Sequence, residues 1–309
     1  MAVTNVKQSK NVVRISGILV ENSLKSGTYK NAEGKEINYI AGSLVTRVNQ
    51  SISGRDEIND IPVNMWVPQF TSTGKPNPAY ESASKAMNTY TSLAVSENES
   101  TATKILITSG NLTENIYSID GDKVFCTPKI TTNFINSVSN ISNYNPEATF
   151  MVDMVVGQID DEVDKEGAAT GRLKVKGMVC RYNGTMDTFD FFVEHPNAIT
   201  YIRSYWKVGD TVQVSGKIRY NVKEDKIEIP TRFGEPQFKT RTSVCRELII
   251  TADSTDSLTD EQKFTEQEIK DGLAKRAELV EAAKAKAKKS GTKPAATTTT
   301  GAGNNPYGF

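Results

Sequence analysis

The sequence predicts an all-β chain in which one five-stranded barrel carrying a single helix occurs twice. Three observations predict it. From Asn11 to Asp253, short runs rich in Val, Ile, Thr, Phe and Tyr alternate with Gly, Asn, Asp and Pro clusters, the pattern of strands and turns. Only Asn77–Leu93 and Asn197–Trp206 read as helical in that span, each opening beside a proline, Pro78 and Pro196, whose fixed φ suits a first helical turn. The same succession of elements then appears a second time.

In the first copy the strands are NVVRISGILVENS, INYIAGSLVTRV and IPVNMWVPQF, then the helix, then ATKILITSGNLTENIYS and VFCTPKITTNF. The second runs ATFMVDMVVGQID, GRLKVKGMVCRYN, MDTFDFFVEH, the helix, GDTVQVSGKIRYNV and SVCRELIITAD. Ser109-Gly110 and Ser215-Gly216 fall at the same point of the fourth strand, and Cys126 and Cys245 near the start of the fifth. Three strands, a helix and two strands is the order of an OB-fold, a partly open Greek-key barrel. The reading is therefore two tandem OB-folds, at residues 1–145 and 146–253.

After Asp253 the composition changes. Thr265 with Glu268 makes a capping box, and an Ala/Lys/Glu-rich helix follows within residues 254–290. Ile269, Leu273, Ala277 and Val280 form a narrow apolar stripe at helical spacing, suited to docking on a barrel or a partner helix. Residues 291–309, rich in Thr, Gly and Ala, read as a disordered tail that ends in an aromatic tip with Pro306, Tyr307 and Phe309.

The 309 residues carry 37 Lys+Arg against 37 Asp+Glu, one His and three Cys. That length suggests about two domains. A neutral total gives no polycation, so any nucleic-acid site must rest on local charge. Cys126, Cys180, Cys245 and His195 lack the spacings that close a zinc site, and three scattered thiols fit a reducing compartment, with the cytoplasm as the default. No signal peptide or membrane span is legible.

No catalytic constellation emerges, so the protein is expected not to be an enzyme. His195 sits between Glu194 and Pro196 at a strand end, where a structural or exposed imidazole is the common case. The acidic run Asp160, Asp161, Glu162, Asp164, Glu166 lacks the glycine and terminal glutamate of a calcium loop and reads as a solvated hairpin connection. Phosphate-binding, dinucleotide-binding and serine-hydrolase motifs do not occur. Neither metal nor organic cofactor is implied.

Binding is better supported. Strand alternation puts Arg172, Lys174 and Lys176 on one side of a strand, opposite Leu173, Val175 and Val179, and sets Lys217 and Arg219 against Val212, Val214, Ile218 and Tyr220. With Phe189, Phe191 and Val193 in the core, Phe192 faces outward; with Val63, Met65 and Val67 in the core, Trp66 does the same at the matching position. Outward aromatics on the third strand suit base stacking, and equally suit covering the barrel under a loop. Two loops interleave basic and aromatic residues: Lys25, Tyr29, Lys30 and Lys35 in the first copy, and Lys226, Arg232, Phe233, Phe238, Lys239 and Arg241 in the second. Residues 1–145 hold 13 basic and 12 acidic residues and 146–253 hold 15 and 17, so no segment is basic outright.

In element order from Asn11 to Asp253, and in its tail, the chain resembles the single-stranded DNA-binding proteins of bacteria and their phages, in a form with two OB-folds per chain. That resemblance implies a sequence-tolerant protein, phage-encoded and acting in the host cytoplasm, that coats single-stranded DNA in replication or recombination. The tail is similar to those of the bacterial proteins, which end in a short motif with a terminal phenylalanine that docks on replication and repair enzymes. It departs from them in lacking acidic residues before the tip. The alternative is an assembly protein, for example of a virion, whose OB-folds contact other proteins. Oligomeric state is open.

Overall fold

The computed structural model describes residues 6–139, 144–229 and 237–290. Its strands are β1 Asn11–Asn22, β2 Lys25–Lys30, β3 Glu36–Ile52, β4 Arg55–Pro68, β5 Lys104–Ser118, β6 Val124–Thr131, β7 Asn136–Ser137, β8 Glu147–Val163, β9 Ala169–Cys180, β10 Met186–Val193, β11 Thr211–Ile229 and β12 Gln237–Asp253. The helices are α1 Pro78–Thr89, α2 Leu93–Ser96, α3 Pro196–Tyr205 and α4 Glu266–Ser290.

Pairing closes the first barrel in the cycle β1–β3–β4–β6–β5–β1. All its contacts are antiparallel except β4 with β6, where Val63 and Asn64 run parallel to Ile130 and Thr131. The second barrel repeats this as β8–β9–β10–β12–β11–β8, with its parallel pair at Phe191 and Phe192 against Leu248 and Ile249. The fold is two tandem OB-folds. Alternating residues such as Val13, Ile15 and Val63, or Phe150, Val175 and Phe191, fill the interiors. Ala79, Ala83 and Ala86, on one face of α1, lie buried against the first barrel, and Ile202 of α3 with Trp206 is buried against the second. Asn77 caps α1 by accepting from the Ala79 N–H, and Pro78 occupies a position whose N–H would have no helical partner.

Two segments expected as loops are strands. Residues 25–30 form β2, paired with Glu36–Ala41, so the first connection is a hairpin with its own register. Most of the span 223–241 belongs to a β11–β12 hairpin that stays in register from Gly216↔Ile250 out to Ile229↔Gln237. The acidic run likewise extends β8 to Val163, and only its end is a turn, where Asp164 accepts from the Glu166 and Ala168 amides.

The barrels are joined along one edge, where Asn11–Ser16 of β1 pair antiparallel with Glu147–Val152 of β8. The β3–β4 hairpin then crosses β11. Buried Gln50 donates to the Ile218 carbonyl at 2.9 Å and accepts from the Ala148 amide at 3.0 Å, while buried Asn59 accepts from the Tyr220 amide at 2.8 Å. These amide side chains satisfy backbone groups that would otherwise be buried unpaired.

Helix α4 straps both barrels. Its capping box is formed, with Thr265 N donating to Glu268 and Glu268 N to Thr265 Oγ1. The docking face differs from the expected apolar stripe: Leu273 and Ala277 are exposed, whereas Ile269, Gly272 and Arg276 face the barrels. A Cβ on Gly272 would stand 2.4 Å from Met186 Cγ, so only glycine lets the helix approach this closely. Arg276 forks onto buried Glu114 of β5, which also accepts from Thr188 of β10. The strap is thus seated by an ion pair to a buried carboxylate together with the apolar contact of Ile269 on Val155, Met178, Cys180 and Met186.

Candidate nucleic-acid interface

Trp66 points outward from β4 between buried Met65 and Val67, as alternation predicts, and is 53% exposed. It is not isolated. Tyr39 of β3 lies 5.9 Å from it and Tyr29 of β2 5.7 Å, ring centre to ring centre, and the two tyrosines are 6.0 Å apart. Tilted rings at these separations support one another while leaving faces open. Gly27 makes the cluster possible: it pairs with Tyr39 across β2–β3, and a Cβ there would meet the Tyr39 ring at 2.7 Å. Tyr39 carries no sequence signal of its own, because finding it requires the β2–β3 register.

Beside this platform a groove of about 1180 Å³ opens between the barrels. The first barrel contributes Trp66, Asn64, Asn115, Lys129 and Thr131; the second contributes Ile218–Tyr220 of β11 and Arg246–Leu248 of β12. Among the described residues Glu247 is the one carboxylate in its lining, and both Arg172 and Arg219 neutralise it. Lys25, Lys129 and Arg246, which also line the groove, have no ion pair among the described residues. The uncompensated charge of the groove is positive although the whole chain is neutral. The Arg246 guanidinium lies over the Tyr220 ring, 5.1 Å from its centre. On the β5–β6 hairpin, Tyr117 at the groove stacks on Phe125 at 5.3 Å with Lys123 over the far ring.

The second barrel's expected basic stripe is arranged differently. Arg172 bonds Glu162, Glu194 and Glu247 and covers the half-buried Phe192 ring at 4.7 Å. Arg219 reaches Glu57 of the first barrel as well as Glu194 and Glu247. Lys174 pairs with Asp190 at 2.8 Å, and Lys217 donates to the Ser51 carbonyl, which leaves Lys176 exposed and without an ion pair among the described residues. Long-range carboxylates thus compensate the arginines of the expected basic stripe, and one of those arginines lids the outward Phe192 ring. Burial raises the Glu194 carboxyl, but hydrogen bonds from Arg219, Ser53 and Arg172 outweigh it and hold the group at about 2. The same competition, won by Arg172 and Arg219, lowers Glu247, and the Arg172 hydrogen bond lowers Glu162.

Of the loop residues, Lys30 is exposed near Tyr29, and Phe238 and Lys239 are exposed near the far end of the β11–β12 hairpin, away from the Trp66 cluster in sequence. The side chain of Lys226, residues Arg232 and Phe233, and the tip residues Pro306, Tyr307 and Phe309 lie outside the described residues. His195 is the exposed N-cap of α3. Sequence reasoning passed over Arg246 and Lys129 because a single charge in a strand gives no sign of whether a carboxylate will meet it.

A family model described as YorF matches residues 10–286. The chain belongs to the YorF family. No curated protein matches it. Among solved structures, this YorF-family chain is similar to the wild-type single-stranded DNA-binding protein of Thermus aquaticus, with 13% identity, a TM-score of 0.47, and coverage of 82% of this chain and 95% of that one. It is also similar to a deletion variant of the Thermus protein, with 12% identity, a TM-score of 0.46, and coverage of 84% and 98%. A replication protein A heterotrimer bound to single-stranded DNA gives 8% identity, a TM-score of 0.21, and coverage of 91% and 55%. At these identities and scores the likenesses assign no ligand to this YorF-family chain.

Proposed function

We propose that the protein binds single-stranded DNA without sequence preference and coats it during replication or recombination, with no chemistry of its own. The observation that carries this reading is the Trp66–Tyr39–Tyr29 platform on β2–β4, with Trp66 and Tyr29 exposed, set beside a groove whose unpaired charges among the described residues are positive. Aromatic faces hold bases of any identity, because every base has a π-face, and each stack is worth about 1–3 kcal/mol. Unpaired lysines and an arginine along the groove neutralise phosphates and release counterions. Duplex DNA, with its bases stacked inside, offers the platform nothing. The C-terminal tip, with Tyr307 and Phe309, is assigned on sequence grounds to recruiting replication or recombination proteins.

The test uses the two tryptophans. Trp66 is exposed and Trp206 is 8% exposed, so a strand on the platform quenches the Trp66 emission and leaves that of Trp206. Titration with oligo-dT and with duplex of equal length, at several salt concentrations, is expected to give salt-dependent quenching with the single strand alone. Equal binding of both, or binding without quenching, would sink the reading.

A further inference from the structure

Resting on that reading, the geometry points to one continuous site shared by both barrels. A strand seated on Trp66 runs through the inter-barrel groove past Lys129 and reaches Arg246 on the second barrel, instead of crossing the second barrel's own Phe192 face. The groove is one space with walls from both barrels, Trp66 and Lys129 on one and Tyr220 and Arg246 on the other. The only carboxylate lining it among the described residues is already matched by two arginines, so a polyanion entering it meets Lys129 and Arg246 without displacing any described ion pair. The Phe192 face demands the opposite. To bare that ring, Arg172 would have to leave three glutamates.

The groove walls also hold their spacing. The β1–β8 ladder, the Gln50 and Asn59 side chains, and the Arg219–Glu57 pair bind the barrels on the groove's second-barrel side. The Arg246 guanidinium lies over the Tyr220 ring and has no ion pair among the described residues. A phosphate oxygen would give this guanidinium the anionic partner that no described carboxylate supplies. Asn64, Asn115 and Thr131, which line the same groove, carry amides and a hydroxyl that suit base edges without selecting one base.

The experiment measures oligo-dT binding by the full chain over a series of strand lengths and salt concentrations, with Trp66 quenching as the readout of the platform. Arg246→Gln and, separately, Lys129→Gln are expected to keep the quenching, to lose the gain in affinity that longer strands give, and to lower the slope of log affinity against log salt by about 0.7 each. Arg246→Lys, which retains the charge, should restore that slope, and this separates phosphate contact from a packing defect. If Arg246→Gln keeps the wild-type slope at every length while Trp66→Ala weakens binding, the shared site is wrong and the platform reading stands. If neither Trp66→Ala nor Arg246→Gln alters binding, both fail.

Discussion

Arg219 of the second barrel forks Nε and Nη2 onto the two carboxylate oxygens of Glu57 in the first, at 2.8 and 2.9 Å. Its Nη1 meanwhile reaches Glu194 and Glu247, so one guanidinium ties the β3–β4 hairpin to the end of β10 and to β12 of the other barrel. Both side chains are largely covered, at 11% and 17% exposure. Removing the shared cation strands Glu57 and leaves Glu194 and Glu247 to Arg172 alone, whereas neutralising Glu57 leaves Arg219 with two partners. Arg219→Met is therefore expected to cost about 3–5 kcal/mol and Glu57→Gln about 1.5–3 kcal/mol in denaturant unfolding. Equal costs would show that the network is not shared.

The pH response follows from the same cluster. Glu194 titrates at about 2 when folded and near 4.5 when its partners are gone. A folded value below the unfolded one contributes stability that is fully present above about 4.5 and is lost as pH falls toward 2. Glu162 and Glu247 shift in the same direction, whereas buried Asp187 is raised and acts in the opposite sense. Melting temperature measured from pH 6 down to pH 2.5 should fall steeply below pH 4.5, and Glu194→Gln should make that acid limb shallower.

The two outward aromatics should behave differently. Trp66→Ala is expected to weaken oligo-dT binding by about 1–3 kcal/mol, with stability changed by less than about 0.5 kcal/mol, because the ring is exposed. Phe192→Ala removes a ring already covered by Arg172, so its expected effect is on stability, about 0.5–2 kcal/mol, with affinity preserved. The reverse pattern would place the strand on the second barrel.

Gly27 tests the platform without touching its rings. Gly27→Val drives a side chain into the space of the Tyr39 ring, displacing Tyr39 and the Trp66 contact behind it. Trp66 emission should shift and oligo-dT affinity should fall even though no contact residue has changed. A variant that binds as the wild type would show that Trp66 works alone.

Thiol reactivity offers a check on the strap. Cys180 is buried under Lys7 and α4, and burial pushes its thiol up to about 11, while Cys126 is exposed beside Arg276. A maleimide at neutral pH should label Cys126 well before Cys180. Truncation before Glu266 should narrow the difference, because it removes Ile269 from the cluster of Val155, Met178, Cys180 and Met186 while leaving Lys7 and Phe264 in place.

The sequence by itself determined what depends on local periodicity. The repeated order of strands, the capping box at Thr265 and Glu268, and the outward direction of Trp66 all follow from spacings of two to four residues, which backbone geometry converts directly into structure. Only the tertiary structure decided which charges are available. Arg172 and Arg219 look as free in the sequence as Lys129 and Arg246, but their partners Glu57, Glu194 and Glu247 arrive from up to 162 residues away. Tyr39 likewise joins the platform only because β2 places Gly27 opposite it, and α4 docks by Gly272 and Arg276 because Met186 and Glu114 wait on different barrels. Side-chain direction is a property of one strand, whereas charge compensation and close approach belong to pairs that long-range packing brings together.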